Sequence, residues 1–456
     1  WALFRVNSFD SNDAFCLGQS QLILGLIGQN LSKLTPLERA EFLYSRAFFH
    51  AKREEASEAL DSVREAYKVL QATSFRDSEE LGKAQKLMDV NSWNTSCLLL
   101  KVPHFQMGWK LFEHGLRAPA VGRQRWQRHL LKAFTNQELP LWRGEDLNGQ
   151  RLLLLEEQAI GDTMMFLTLL PTLVEESDHV GIVVSPRLLP ICQRSCSKWI
   201  DSGLASVWSH KDVASGKLKS DSFDYQSPVG SVCQYRFTDI NSFCPKVPIL
   251  SADVNQSQQF RERTASVDGK TLRIGVSWRG GGRSDRIKLK SIDEDMFADI
   301  MSGYGEEVSF VSLQYGDVDS VISKWQAQGL PILHEPSVNP LKNMDDWLNL
   351  VASCDAVISV ANTTIHGAGG LNVPTMCLLS KHSDWRWIAD SRVKRSYWYS
   401  SVGIAREGKH DGWSPAMRQV RHWILDGCPM PDGPVHTQEF ESKDDHAFVV
   451  TASAGA

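Results

Sequence analysis

Three stretches hold residues whose types and spacing suit work on an anion or a proton. In Asp355 to Ser380, DAVISVANTTIHGAGGLNVPTMCLLS, an apolar, β-branched run from Ala356 to Ala361 leads into the capping types Asn362, Thr363 and Thr364. The spacing predicts a strand, a helix through His366 and Ala368, a turn before Pro374 and a second strand from Thr375 to Leu379. A strand that delivers a Thr-capped helix start offers free backbone N–H groups and about half a positive charge to an anion such as phosphate. Open α/β sheets bind such groups outside the carboxyl ends of their strands. An ordinary crossover with capping threonines fits the same residues.

The second stretch is Glu156 to Thr163, EEQAIGDT, at the end of another predicted strand. Gly161 permits a tight turn, and Asp162 or Thr163 begins a helix. One reading makes Asp162 an N-cap worth about 1 kcal/mol. The other makes it a carboxylate held at a cleft beside Gln158, Gly161 and Thr163, a general base contributing about 10²–10⁴-fold. The third stretch is Ser277 to Arg286, SWRGGGRSDR. Its three glycines let backbone N–H groups approach a ligand closely. Arg279, Arg283, Arg286, Lys288 and Lys290 add the positive charge that a phosphate site wants. A flexible exposed loop is the plain alternative. Trp385, Arg386 and Trp387, with Tyr397, Trp398, Tyr399 and Trp413, follow the last strand of the pattern. They read as core, or as a cleft-lining set that holds a ring.

Several other signals fail. Gly269-Lys270-Thr271 lacks the glycine that opens a P-loop and precedes a strand. Gly367 to Gly370 lies within or at the end of a helix, so it is no dinucleotide fingerprint. Asp293-Glu294-Asp295 imitates a metal-binding DxD, yet reads better as an acidic first helical turn. His366 reads as a helix-start histidine hydrogen-bonded in an interface rather than a catalytic one.

The elements that position these residues follow from the texture of the chain. At 456 residues, two or three domains are expected. Hydrophobic content of 42%, charged content of 23% and a net charge of −5 describe an ordinary globular protein with no leaning toward nucleic acid. No apolar run of about 18 residues exists to span a membrane. Trp1 is compatible with a processed or truncated start. Nine scattered cysteines fit free thiols and a reducing, cytoplasmic setting. Residues 1–135 read as all-helical, and Leu37 to Gln71 resembles one tetratricopeptide unit with Ala47, Ala56, Ala59 and Ala66 at tight helix contacts. From Leu152 short β-rich runs (152–156, 180–186, 272–278, 308–315, 356–361, 375–380) alternate with helices, which implies parallel, Rossmann-like sheets. The polar stretch Ser251 to Lys270 divides them into a first lobe, 136–265, and a second, 266–428, facing a cleft. Residues 429–456 read as a largely disordered tail.

Taken in order, EQAIGDTMMFLTLLP, VSWRGG, KSI, FVSLQYGD, MDDWLNLVASCDAVISVANTTIHGAGGLNVPTMCLLS, DWRWI and YWY resemble the tetratricopeptide-linked glycosyltransferases. Their catalytic part is similar to the heptosyltransferases, glycosyltransferase family 9. MGWKLFEHGLR and LPLWRGEDLNGQRLLL extend the match before the first lobe, so it covers roughly residues 105–425. The resemblance implies an α/β GT-B fold with an N-terminal helical, tetratricopeptide-like domain. It implies an inverting, metal-independent transfer from a nucleotide-diphosphate sugar, with no cofactor, to a protein or glycan acceptor. The helical domain would offer a docking surface for a protein partner. Asp162 matches the family's base and Lys290 its phosphate-neutralising cation. Asn362, Thr363 and His366 match its D-[TN]-[GST]-x-x-H signature, with Ser277, Arg279 and Thr364 beside the donor phosphates. Gln314 matches the SLQ turn near the base or ribose. Ala361 stands where that signature carries its leading aspartate. A catalytically silent scaffold and a nucleotide-sugar epimerase are the two alternative readings.

Overall fold

The computed structural model describes residues 14–53, 55–118, 134–243, 248–264, 272–281 and 284–435. Arg283 and most of the predicted tail, 436–456, lie outside them. Among the described residues the first α-helices are α1 (Ala14–Gly28), α2 (Pro36–Lys52), α3 (Ala56–Gln71), α4 (Ser78–Leu99) and α5 (Phe105–Phe112). Pro36 takes the first position of α2, where its missing N–H costs nothing. Thr35 and Glu38 cap that end reciprocally: the Thr35 N–H donates to Glu38 Oε2 at 2.9 Å, and the Glu38 N–H to Thr35 Oγ1 at 3.4 Å. Helices α2 and α3 pack through Ala47, Ala59 and Ala66, all fully buried. Arg46 clamps the pair, donating to Ser62 Oγ at 2.9 Å and Glu65 Oε2 at 2.7 Å.

The first sheet contains β1 (Arg151–Leu155), β2 (His179–Val184), β3 (Ala205–Ser209) and β4 (Tyr225–Pro228), all parallel, in the order β3-β2-β1-β4. Helix α6 (Ile160–Phe166) leaves the carboxyl end of β1. The second sheet contains β5 (Leu272–Ser277), β6 (Val308–Ser312), β7 (Ile332–Leu333), β8 (Ala356–Val360), β9 (Thr375–Leu379) and β10 (Val402–Arg406), also parallel, in the order β10-β9-β8-β5-β6-β7. The chain winds outward one way from β5 through β6 and β7, then the other way from β8 through β10. Strand order therefore reverses between β5 and β8, the position at which doubly wound sheets bind ligands. The first sheet has the same reversal between β1 and β4.

Four strands escape the sequence pattern. Strand β3 is half exposed along its middle, β7 has two residues, and β10 lies beyond the segment read as last. Strand β4 buries polar Gln226 and Ser227, and the Gln226 side-chain nitrogen donates to the Phe134 and Leu139 carbonyls at 2.7 and 2.6 Å. The polar interruption at 251–270 contains a helix, α7 (Val254–Arg263), started by an Asp253 N-cap. It rests on α9 (Met344–Ala352), with the Asp253 N–H donating to Asn349 Oδ1 at 2.8 Å. Between them in sequence, α8 (Ser284–Lys290) turns much of the expected loop after β5 into helix. Among the described residues no helix is long and apolar enough to cross a membrane. The described cysteines are free thiols.

One core runs through the helical domain and both lobes. Phe105, Trp109 and Phe112 share one face of α5 and leave their own domain to meet the lobes' aromatic residues. Ring centroids lie 5.8 Å apart for Trp109 and Trp385, 5.1 Å for Phe112 and Trp385, and 5.4 Å for Phe105 and Tyr397. The chain thus has a GT-B architecture, two Rossmann-like lobes, with a helical domain docked on the seam. Trp109→Ala should destabilise the whole unit by about 3–5 kcal/mol, the usual cost of emptying a buried aromatic site. Urea unfolding checks this, and an unchanged midpoint would mean that the seam contributes nothing to global stability.

Candidate active site

At the carboxyl end of the second sheet, β8 runs into Asn362, the N-cap of α10 (Thr363–Gly370). The Asn362 side chain serves both sides of the strand-order reversal. Its Oδ1 accepts from the Thr364 N–H at 2.8 Å and from Ser359 Oγ at 3.1 Å. Its Nδ2 donates to Ser277 Oγ at 2.8 Å and to the Arg279 carbonyl at 3.1 Å. Gln314, after β6, completes the knot: its Oε1 accepts from Ser277 Oγ, the Trp278 N–H and the Arg279 N–H at 3.0, 3.1 and 2.8 Å. Ser277, Gln314 and Asn362 therefore hold the loops rather than leave their polar groups for a ligand. The loop needs no carboxylate at 361, where the Ala361 methyl packs against the core.

The start of α10 meets the start of α6 from the other lobe. A Cβ on Gly161 would lie 2.9 Å from His366 Cδ2 and 3.4 Å from Thr363 Oγ1, so only a glycine fits without displacing them. This corrects the reading of Gly161 as a turn residue. The left-handed turn belongs to Gln158, at φ 59°, and Gly161 instead permits helix-to-helix contact. Helix α6 also begins earlier than expected, at Ile160, with Ala159 as its N-cap. Asp162 is thus the third helical residue, and its Oδ2 accepts from the Ala159 N–H at 3.0 Å. Thr163 is buried, its hydroxyl turned back on the Glu157 and Ala159 carbonyls at 3.5 Å.

Charges alternate across the seam. Arg386 Nε donates to Asp162 Oδ1 at 2.5 Å, and its Nη2 pairs with the same oxygen. Arg386 also pairs with Asp384 at 3.1 Å and reaches Gln158 Oε1 at 3.4 Å. Lys290 Nζ closes on Asp384 Oδ2 at 2.9 Å. Burial alone would lower the Arg386 pKa, but Asp162 and Asp384 outweigh it and hold the guanidinium above its ordinary value. Burial would raise Asp384, but Arg386 and Lys290 hold its carboxyl well below the usual range. Arg386 and Asp384 therefore hold each other in the charged form.

The structure brings together Gln158, Gly161, Asp162, Thr163, Lys290, Asn362, Thr363, Thr364, His366 and Arg386 around one junction. Arg279 stands at its edge, its Nη2 donating to the Tyr315 carbonyl at 3.2 Å. Lys288 is exposed. Trp385 does not line a cleft. It is buried against Phe112, and the Arg386 guanidinium lies 4.3 Å from its ring centre. Asp384 and Tyr399 belong to the stretch that the sequence reads as core or a cleft lining, but their pairing with Arg386 and His366 was not expected from it. An acid two places before Arg386 was the available signal for the first, and nothing local distinguishes the second from a core tyrosine. At the corresponding position of the first lobe, between β1 and β4, Glu157 Oε2 accepts from the Gly230 N–H at 3.1 Å.

His366 is buried, with Nδ1 3.1 Å from the Tyr399 hydroxyl. Burial lowers its pKa to about 4, with the nearby Asp162 charge opposing the shift. A depressed folded-state pKa means that its contribution to stability is full above the ordinary histidine value and is lost as pH falls toward about 4. His366→Gln should therefore lose less stability than the parent chain between about pH 7 and about pH 5, by about 2 kcal/mol. Paired urea titrations read this difference, and equal losses would mean that the imidazole is not held neutral.

No family model matches the chain. Protein FlbA of Caulobacter vibrioides is 26% identical over 300 residues, covering 62% of this chain and 48% of that protein. The chain thus spans about half the length of the curated relative it matches. Among solved structures, a glycosyl transferase family 9 protein from Veillonella parvula is similar at a TM-score of 0.45 and 10% identity, covering 62% of this chain and 98% of that one. E. coli ADP-heptose lps heptosyltransferase II is similar at 0.41 and 12% identity, covering 60% and 96%. An O-GlcNAc transferase from Thermobaculum terrenum is similar at 0.27 and 11% identity, covering 93% and 92%.

Proposed function

We propose that the chain is an inverting, metal-independent glycosyltransferase that moves a sugar from a nucleotide-diphosphate donor to a protein or glycan acceptor. One observation carries the reading: the α10 start, at the strand-order reversal of the second lobe, abuts a first-lobe carboxylate, Asp162. A diphosphate seated at the α10 start receives the helix's partial positive charge and the cations Lys290 and Arg279. An acceptor hydroxyl arriving from the first lobe meets Asp162. Asp162 takes the hydroxyl proton, and the hydroxyl oxygen forms a bond to the anomeric carbon. The bond from that carbon to the diphosphate breaks, its electron pair leaving with the diphosphate. A single in-line displacement of this kind inverts the anomeric centre. The cations and the helix start stabilise the charge that develops on the leaving group, where fixed electrostatics act most strongly.

The test is a panel of nucleotide sugars incubated with candidate acceptors, with product read by mass spectrometry. Asp162→Asn should lower turnover by about 10²–10⁴-fold while donor binding is retained. Nucleoside diphosphate binding without turnover for any donor would favour a silent scaffold, the reading that Ala361 favours. Conversion of donor without acceptor would make the chain an epimerase.

A further inference from the structure

Arg386 sits between two candidate partners. Its present one is Asp162: side chains 16% and 7% exposed, with Nε and Nη2 both on Oδ1. Oδ2 of the same carboxylate takes the Ala159 N–H. In this arrangement most of the carboxylate's lone pairs are engaged, which leaves little room for an acceptor hydroxyl. Its other candidate partner would arrive with the donor. The Asp162–Arg386–Asp384–Lys290 quartet pairs two carboxylates with two cations, and freeing Arg386 from Asp162 adds a cation to the charge that Lys290 and Arg279 offer a diphosphate. Guanidinium forks match phosphate oxygens as well as carboxylate oxygens, and bind them in pairs.

We propose that Arg386 is a ligand-exchange residue: it holds Asp162 while the site is empty and transfers to the donor's diphosphate on binding, so that the base is freed only when a donor is present. This rests on the transferase reading. Two features suit the exchange. The guanidinium is held over the Trp385 ring at 4.3 Å, a support that does not depend on Asp162. Asp384, fixed by Lys290 at 2.9 Å, keeps a carboxylate on Arg386 throughout. On release the guanidinium exchanges one anionic partner for another, and Asp162, still holding the Ala159 N–H, is open to the acceptor hydroxyl. The exchange imposes an order, donor before acceptor, and prevents Asp162 from activating a hydroxyl when no donor is there to receive it.

Calorimetry of the whole chain with UDP, ADP, GDP and CDP tests the exchange. Asp162→Asn removes the competing charge while leaving an oxygen for the Ala159 N–H, and should tighten the best-bound nucleotide by about tenfold, the scale of one charge-assisted contact. Arg386→Gln should weaken it, and adding Asp162→Asn to Arg386→Gln should restore nothing. If the parent chain binds a nucleotide and Asp162→Asn binds it equally or more weakly, the exchange is wrong although the transferase reading stands. If neither binds any of the four, the transferase reading itself fails. Should Asp162→Asn not fold, the parent chain labelled with nitrogen-15 arginine gives a second measurement. The Arg386 Nε–H resonance, assigned by its loss in Arg386→Gln, should shift on adding nucleotide, and an unmoved resonance would overturn the proposal.

Discussion

Arg386 reaches out of the second lobe and closes on Asp162 in the first, beside the close approach of the two helix starts at Gly161 and Thr363. A pair this far out of water is held by its full set of partners. Removing one partner of a buried ion pair typically costs about 3–5 kcal/mol, because the other charge is left stranded. Asp384 and Lys290 spread that dependence along a chain of four groups. The same contacts that seat one lobe on the other thus also set the charge state of the candidate site.

Behind this junction the loops are fixed from within. Ser277, Gln314 and Asn362 satisfy one another, and so the carboxyl ends of β5 and β8 keep one geometry without help from a ligand. Pre-formed sites of this kind lose little on binding, because the ordering of their loops is already complete. The Ala361 position bears on the same point. A carboxylate there is not required to hold the loop, since Asn362 caps α10 and ties it to the Arg279 carbonyl. The helical domain contributes differently, through the aromatic face of α5, which fills the seam that Trp385, Tyr397 and Trp398 would otherwise expose.

Much of this was legible in the residues. Runs such as AVISV and LRIGVS are buried on both faces, which is what a parallel strand between two helical layers must be, and the sequence pattern placed them. Strand β4 was invisible because its buried Gln226 donates from its side-chain nitrogen to carbonyls remote in sequence, a tertiary fact that no local pattern carries. Asp162 and Arg386 were both singled out, yet their pairing over 224 positions was not foreseeable from spacing. Gly161 was read as a turn because glycine more often marks a turn than a close approach. Trp385 was read as a possible platform because tryptophan suits both a cleft and a core, and only the position of α5 decides between them.

The proposed transfer requires a diphosphate at the strand-order reversal of the second lobe, against the start of α10. A crystal structure of the chain soaked with its tightest-binding nucleoside diphosphate tests this most directly. The account predicts phosphate oxygens at the Thr363 end of α10, within about 3 Å of Lys290 Nζ. A diphosphate found instead at the carboxyl end of the first sheet, with Glu157 displaced from Gly230, would contradict it.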